Sequence, residues 1–303
     1  MLKGSYTTEE IAQMLKVSKL TVYDLIKKGK LPAYRVGKQM RIDASDLEAY
    51  KHKNKTASTV PVFTKPSPSP QRSVVISGQD ISLDILGRHL DQKQNWRSLR
   101  SYHGSLNSLI SMYQNEGDIV SVHLYDGETG EYNLPYINRI LTGRSYLVIN
   151  LLSRQAGFYV QENNPKKLYD WSDLGKEGLT IVNREIGSGA RVLLDEKLKS
   201  HHIHYQKLQG YEHEETSHLS VASAVKQKRA DVGIGIEKAA KTVGTEFVPL
   251  IEERYDLVLL KKEENIELIK QTLSVLKSTS FQEEIAALGG YNVAQTGEVL
   301  FER

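Results

Sequence analysis

The chain contains no cysteine in its 303 residues. Disulfides, thiolate metal sites and cysteine nucleophiles are thereby excluded together. Long apolar runs are missing too. Nowhere do about 18 apolar residues follow one another, so no membrane-spanning helix is expected. The N-terminus carries no apolar signal segment, which leads to the expectation of a cytoplasmic protein. No internal repeat stands out. Two common enzyme signatures are absent, the H-E-x-x-H pair and the Gly-x-Ser-x-Gly elbow. What remains is enough chain for two or three domains with their own cores.

Charge is unevenly spread. Residues 1–53 hold 11 Lys+Arg against 6 Asp+Glu, a net of +5, and the rest holds 29 against 31, a net of −2. A positive excess gathered on one short segment is what phosphate contact requires. The same segment is patterned. Thr7 and Glu10 form the S/T-x-x-E box that starts helices by satisfying first-turn amides. Ile11, Met14 and Leu15 follow at helical spacing. Lys16-Val17-Ser18 makes a turn, and Ser18 is placed to cap a second helix. On that helix Val22, Leu25 and Ile26 share one face, predicted to pack on Ile11 and Leu15. Gly29 is placed to end it. After Pro32 the run Ala33 to Ile42 alternates about a turn at Gly37-Lys38 and reads as a wing, and Asp43 caps a short third helix through Tyr50.

In helix-turn-helix proteins the first turn of the second helix meets base edges, and flanking polar residues hold phosphates. The candidates for DNA contact are therefore Ser18, Lys19, Thr21, Tyr23 and Lys27, with Arg35, Lys38 and Arg41 on the wing. The segment resembles the excisionase-type winged helix-turn-helix module, a relative of the MerR head, in Tyr6 to Ala12, Thr21-Val22-Tyr23 and Leu31 to Gly37. That resemblance implies binding of double-stranded DNA. One such module buries too little surface for tight specific recognition, so a homodimer is expected.

Residues 54–72 form a linker between the head (1–53) and the remainder (73–303). Its Lys65-Pro66-Ser67-Pro68-Ser69-Pro70 favours extended chain over packing. From Ser73 onward short β-rich runs (Val74 to Ile76, Ser98 to Tyr102, Ile119 to Tyr125, Tyr146 to Asn150, Leu179 to Asn183, Asp231 to Ile236, Tyr255 to Leu260) alternate with helical ones (Ile81 to Leu90, Leu106 to Tyr113, Ala190 to Leu198, Leu219 to Lys228, Ile266 to Leu276). This alternation predicts an α/β fold with doubly wound, parallel-type sheets. About 230 residues exceed the needs of one such sheet, which favours two lobes and a cleft. Lobe 1 is expected at about 73–153 and 255–303, lobe 2 at about 154–254.

Ligands of open α/β sheets sit at the carboxyl ends of strands, where helix N-termini point. Three small-residue turns fall there: Ser77-Gly78-Gln79-Asp80, Gly104-Ser105, and Gly187-Ser188-Gly189-Ala190-Arg191. Each offers a hydroxyl and unpaired amides at a positive helix end, which suits an anion. The candidate ligand residues are Ser77, Gly78, Gly104, Ser105, Ser188, Gly189, Arg191 and Tyr255.

Residues 73–303 resemble the type 2 periplasmic-binding-protein-like domain that is fused to excisionase-type heads and to some molybdopterin biosynthesis proteins. The matching segments are Gly104-Ser105-Leu106, His123 to Asn133, Val182 to Asp195, Arg229 to Glu237, Glu253 to Leu257 and Leu288 to Tyr291. The resemblance implies a two-lobed clamp on a small ligand and a link to molybdate, tungstate or the molybdenum cofactor. Two departures stand out. The second-lobe tyrosine of molybdate-binding relatives is absent from Gly233-Ile234-Gly235-Ile236, and Gly-Ser-Gly-Thr-Arg is here Gly-Ser-Gly-Ala-Arg. Tyr255 is the candidate replacement donor, and Arg191 beside Arg154 leaves room for a larger phosphorylated or carboxylated ligand.

The histidines His201, His202, His204, His213 and His218 cluster without ligand spacing and read as solvated surface, not as a metal site. Asp126, Glu128 and Glu131 sit in apparent turns with no nucleophile beside them. No catalytic residue, metal or required cofactor is expected. The reading is a non-enzymatic, ligand-responsive regulator that closes on a small anion, with no membrane partner. The alternatives are an enzyme or cofactor-handling protein of molybdenum metabolism, and a passive ligand buffer.

Overall fold

A computed structural model describes residues 4–15, 17–37, 39–55, 72–93 and 96–303, leaving aside the side chains of 52–55. Lys38 of the expected wing and 56–71 of the expected linker lie outside the described residues. The chain divides into two compact units, Met1–Ser67 and Pro68–Arg303.

The first unit runs β1 (Ser5–Thr7), α1 (Thr8–Leu15), α2 (Lys19–Lys27), β2 (Tyr34–Val36), β3 (Gln39–Asp43) and α3 (Ala44–Lys55). Local chemistry sets its boundaries. Thr7 Oγ1 accepts from the Glu10 amide at 3.3 Å, while Glu10 Oε2 accepts from the Thr7 amide at 2.8 Å, closing the box that starts α1. Ser18 Oγ accepts from the Thr21 amide at 3.1 Å and starts α2. Ile11, Val22, Leu31, Ile42 and Leu47 are buried together, with Leu15, Leu25 and Ile26 against them. Met14, expected on the packed stripe, is 45% exposed, because the small core is already filled by Ile11 and Leu15. The wing strands pair antiparallel, and β3 also pairs with β1. Three residues are too few for β1 to show an alternation in the sequence.

The second unit contains β4 (Arg72–Ser77), α4 (Ser82–Asp91), β5 (Trp96–Ser101), α5 (Ser105–Tyr113), β6 (Ile119–Val122), α6 (Leu134–Ile140) and β7 (Tyr146–Val160). There follow β8 (Ile181–Arg184), α7 (Gly189–Ser200), β9 (Glu214–Glu215), α8 (His218–Lys226), β10 (Val232–Ile236) and α9 (Glu237–Val243). The chain closes with β11 (Glu246–Leu260), α10 (Ile266–Leu276), α11 (Thr279–Ala287) and β12 (Val299–Glu302). Among the described residues the strand order is β5-β4-β6-β11-β7-β10-β8-β9, with β12 also on β7.

The parallel character expected from the β/α alternation holds at the two ends, where β4 pairs with β5 and β6, and β8 with β10 and β9. Between them β7 and β11 pair antiparallel over most of their length and run from one lobe into the other. Alternate residues on a strand point to opposite faces. On β7, Phe158 therefore joins a core with Trp171, Leu193 and Ile234 under α7, while Tyr159 joins Val221, Val225 and Ala240 under α8 and α9. Lobe 1 has the same sandwich. Ile76, Leu86, Leu257 and Phe281 pack on one face, and Leu109, Met112, Val122 and Ile137 on the other. Each such fully buried side chain contributes about 1.5–3 kcal/mol of transfer free energy.

Candidate functional site

The loops after β4, β5 and β8 border one cavity of about 520 Å³ between the lobes. Gly78, Gly104, Ser105, Ser188, Gly189 and Tyr255 line it. Gly78 has φ +143°, and a Cβ there would lie 1.9 Å from Ser121 Oγ, so only glycine lets the strand turn at this point.

The hydroxyls are oriented by the backbone. Ser105 Oγ accepts from the His123 amide at 3.2 Å, and Ser188 Oγ from the Arg191 amide at 3.3 Å. Each hydroxyl hydrogen is left to serve another acceptor. Gly104, Ser188 and Ser217 are the N-caps of α5, α7 and α8. First-turn amides have no partner within their own helix, and three helix ends at one hollow attract negative charge.

Two expected ligand residues do not line the cavity. Ser77 is 1% exposed and its hydroxyl pairs with Ser108 Oγ at 2.8 Å, because the last position of β4 points to the α5 face. Arg191 lies over the Tyr211 ring at 4.2 Å and pairs with Glu214 and Asp195. Its helix directs the side chain towards β9 and away from the hollow.

Two other arginines are at the cavity. Arg154 is buried, with Nη1 2.5 Å from Asp80 Oδ2 and Nε 2.6 Å from Glu253 Oε1. Its guanidinium covers the Tyr255 ring at 4.5 Å. Tyr291 donates to Asp80 at 2.9 Å, and His123 Nδ1 lies 2.9 Å from Glu253 Oε2. Burial pushes the Glu253 carboxyl up, yet Arg154 and His123 outweigh it and hold it at about 2. Burial, and then the Asp80 charge, lift the Tyr255 phenol to about 12, so it stays a neutral donor. Its hydroxyl lies 2.7 Å from Ser121 Oγ.

Arg184, at the end of β8, places Nη2 2.5 Å from Gln79 Oε1 and Nε 2.8 Å from Glu185 Oε2, and Gln79 returns a bond to Glu185 at 2.8 Å. Gln79 belongs to lobe 1 and the other two to lobe 2. The Leu106 amide donates to the Gly187 carbonyl at 3.1 Å, a third bond across the cleft. The lobes are therefore closed on each other.

The loop Thr216-Ser217-His218 also lines the cavity, and His218 departs from the expected solvated cluster. His201, His202, His204 and His213 are exposed, whereas the Nδ1 of His218 is buried with no partner. Burial, and then the charges of Arg184, Arg154 and His123, hold its pKa well below 6.5. The sequence signal was available: Ser217 is a cap residue at the end of a β/α loop, equivalent to Ser188. An imidazole kept neutral in the fold takes up its proton only on unfolding, so stability is lost as pH falls below the ordinary histidine value. Lowering pH from about 7.5 to about 5.5 is expected to reduce the urea midpoint less in His218→Asn than in the native chain. Equal reductions in the two proteins would show that His218 takes up its proton in the folded state.

Asp126, set aside above as a turn residue, accepts from the Glu128 and Thr129 amides at 3.2 and 2.9 Å. Among the described residues, no group of three or more His, Asp or Glu is arranged to hold a metal ion. No helix there is long and apolar enough to cross a membrane.

In the head, the cap residue Ser18 and Lys19, Thr21, Tyr23 and Lys27 of α2 are exposed, as is Arg35 on the wing. Thr21 Oγ1 pairs with Ser18 Oγ at 2.8 Å, and Lys19 with Glu9. Arg41 is half-buried in the central strand, 3.4 Å from Ser5 Oγ. Leu20, which the apolar pattern did not single out, is 80% exposed among these residues.

Known families match both units: the helix-turn-helix domain over residues 5–55 and the PBP superfamily domain over 87–277. The chain belongs to the PBP superfamily, in a form that carries an N-terminal helix-turn-helix domain. It is 49% identical to YvgK, an uncharacterized protein of Bacillus subtilis (strain 168), over 99% of this chain and 98% of that one. Among solved structures, the tungstate ABC transporter from Geobacter sulfurreducens matches with a TM-score of 0.54 at 12% identity, covering 72% of this chain and 100% of that one. An ABC-type phosphate transport receptor from Vibrio cholerae matches at 0.50 and 15% identity, covering 72% and 99%. At such identities these structures speak for the fold alone. A helix-turn-helix domain implies DNA binding, and a PBP-like domain implies binding of a small ligand.

Proposed function

We propose that the chain is a ligand-responsive transcriptional regulator: an anion bound in the interlobe cavity of about 520 Å³ modulates operator binding by the winged head. One observation carries this reading. Three helix N-termini, with Ser105, Ser188 and Ser217 on them, border a single hollow in a chain that also holds a DNA-binding module. A small anion, whether inorganic like molybdate and tungstate or organic, is the ligand class that these donors suit. The carboxylates nearby are engaged, Asp80 by Arg154 and Tyr291, and Glu253 by Arg154 and His123. That arrangement favours holding a solute over moving protons. Closure of the lobes would shift the population of DNA-competent chains, which act as homodimers in a cytoplasmic setting.

The test is a pair of variants, Ser105→Ala and Ser188→Ala, screened by thermal shift against molybdate, tungstate, sulfate, phosphate and small carboxylates. Both are expected to weaken the dose-dependent stabilisation seen with the native chain while DNA affinity without ligand is kept. Ser188→Ala also removes a helix cap, at about 0.5–2 kcal/mol, so its unliganded melting temperature is the reference. Loss of ligand and DNA binding together would overturn the reading.

DNA contact has its own signature. Exposed Arg35 on the wing is assigned to a phosphate, and Arg35→Ala is expected to flatten the plot of log affinity against log salt by about one unit of slope. An unchanged slope would remove Arg35 from the interface.

A further inference from the structure

We infer that the ligand of the cleft is an organic anion, with one carboxylate or phosphate group and an apolar, ring-sized body, and not a bare tetrahedral oxyanion. This inference rests on the proposed anion-binding role of the same cavity.

Size is the first argument. The cavity measures about 520 Å³. Water occupies about 30 Å³ per molecule in the liquid, so the space corresponds to many waters, whereas a tetrahedral oxyanion is four oxygens about one centre. The volume lies within the roughly 300–1,000 Å³ of sites for organic ligands.

The walls are the second. Ile236 and Ala239 are buried apolar residues of the lining. Ile81, Tyr102 and Leu219 also line the cavity and keep 49%, 62% and 48% of their surface exposed. Ile81 and Tyr102 belong to lobe 1, and Leu219 to the first turn of α8 in lobe 2. A desolvated oxyanion needs donors on every side, and these five side chains offer either no donor or mainly apolar surface. An apolar body would cover them and gain by it.

Charge is the third. Arg154 is shared between Asp80 and Glu253, and Arg184 is paired with Glu185. What these pairs leave open is local. The Arg184 side chain is 3% exposed, and its Nε and Nη2 are bonded to Gln79, Glu185 and the Thr216 carbonyl. The His218 Nδ1 is buried and unpartnered at one part of the lining, and apolar surface is open at another. An anionic group and an apolar body in one molecule satisfy both.

The experiment uses the full chain in thermal-shift titrations. Sodium molybdate, tungstate and phosphate form one arm; phenyl phosphate, 1-naphthyl phosphate and benzoate form the other. The aryl anions are expected to raise the melting temperature with saturable dose, and the inorganic anions to fall short at equal concentration. Ile81→Ser combined with Leu219→Ser is expected to weaken aryl-anion binding about tenfold, a shift of about 1.4 kcal/mol. It should leave the unliganded melting point in place, since both side chains are half-exposed. Saturation by molybdate or tungstate without any effect of the aryl anions would overturn this inference and leave the anion-binding reading standing. No stabilisation by either arm would overturn both.

Discussion

Gly189→Ala is expected to stop the two lobes from closing. A Cβ at this position would lie 2.4 Å from the His123 ring and 2.6 Å from the His123 carbonyl oxygen. The second obstacle is backbone, so a rotamer change cannot relieve it. Gly189 begins α7 in lobe 2 and His123 follows β6 in lobe 1, so the strain falls on the closed form and is released by opening. Forcing an extra methyl into packed structure costs about 1–3 kcal/mol, which corresponds to roughly a 5- to 150-fold loss of ligand affinity. The variant should melt close to the native temperature without ligand. With whichever anion stabilises the native chain, small-angle scattering should show the native protein more contracted than the variant. Equal affinity and equal contraction would mean that the contact of Gly189 with His123 is not part of the closed state.

Arg154→Met is expected to give the largest loss of stability. The side chain is 3% exposed and meets two carboxylates that are 4% and 1% exposed. Removing the shared cation leaves Asp80 and Glu253 as like charges without their main partner. Breaking a buried pair in this way costs about 3–5 kcal/mol. For a unit of this size that corresponds to a fall in melting temperature of roughly 6–20 °C. Adding Asp80→Asn and Glu253→Gln to the same chain should recover much of the loss, since the desolvated charges are then gone. A fall of less than about 2 °C would show that the carboxylates are solvated or protonated in the fold. The pH dependence follows from the same network. With Glu253 held at about 2, its stabilisation is present above the ordinary value of 4.5 and disappears as pH falls from 4.5 towards 2.

The sequence by itself determined what depends on near neighbours along the chain. The Thr7–Glu10 box, the Ser18 cap and the wing pairing involve residues within a few positions of one another, where backbone geometry decides the contact. Helix α10 runs Ile266–Leu276 as its apolar period predicts. The turns after β4, β5 and β8 were legible for the same reason, as small residues between a strand and a helix.

The tertiary structure alone decided which of those residues meet. Strand β7 extends from Tyr146 to Val160, well past the expected end at Asn150. The polar Ser153-Arg154-Gln155 breaks the apolar run, and Arg154 is buried only because Asp80 and Glu253, 74 and 99 positions away, neutralise it. That Arg154 and Arg184 line the cavity while Arg191 turns to Tyr211, and that His218 leaves its exposed neighbours for the cleft, depends on how strands distant in sequence are paired. Spacing records what a residue can donate or accept. Which partner it reaches is fixed by long-range packing, where burial makes an unpaired charge too costly to keep and so selects the arrangement that pairs it.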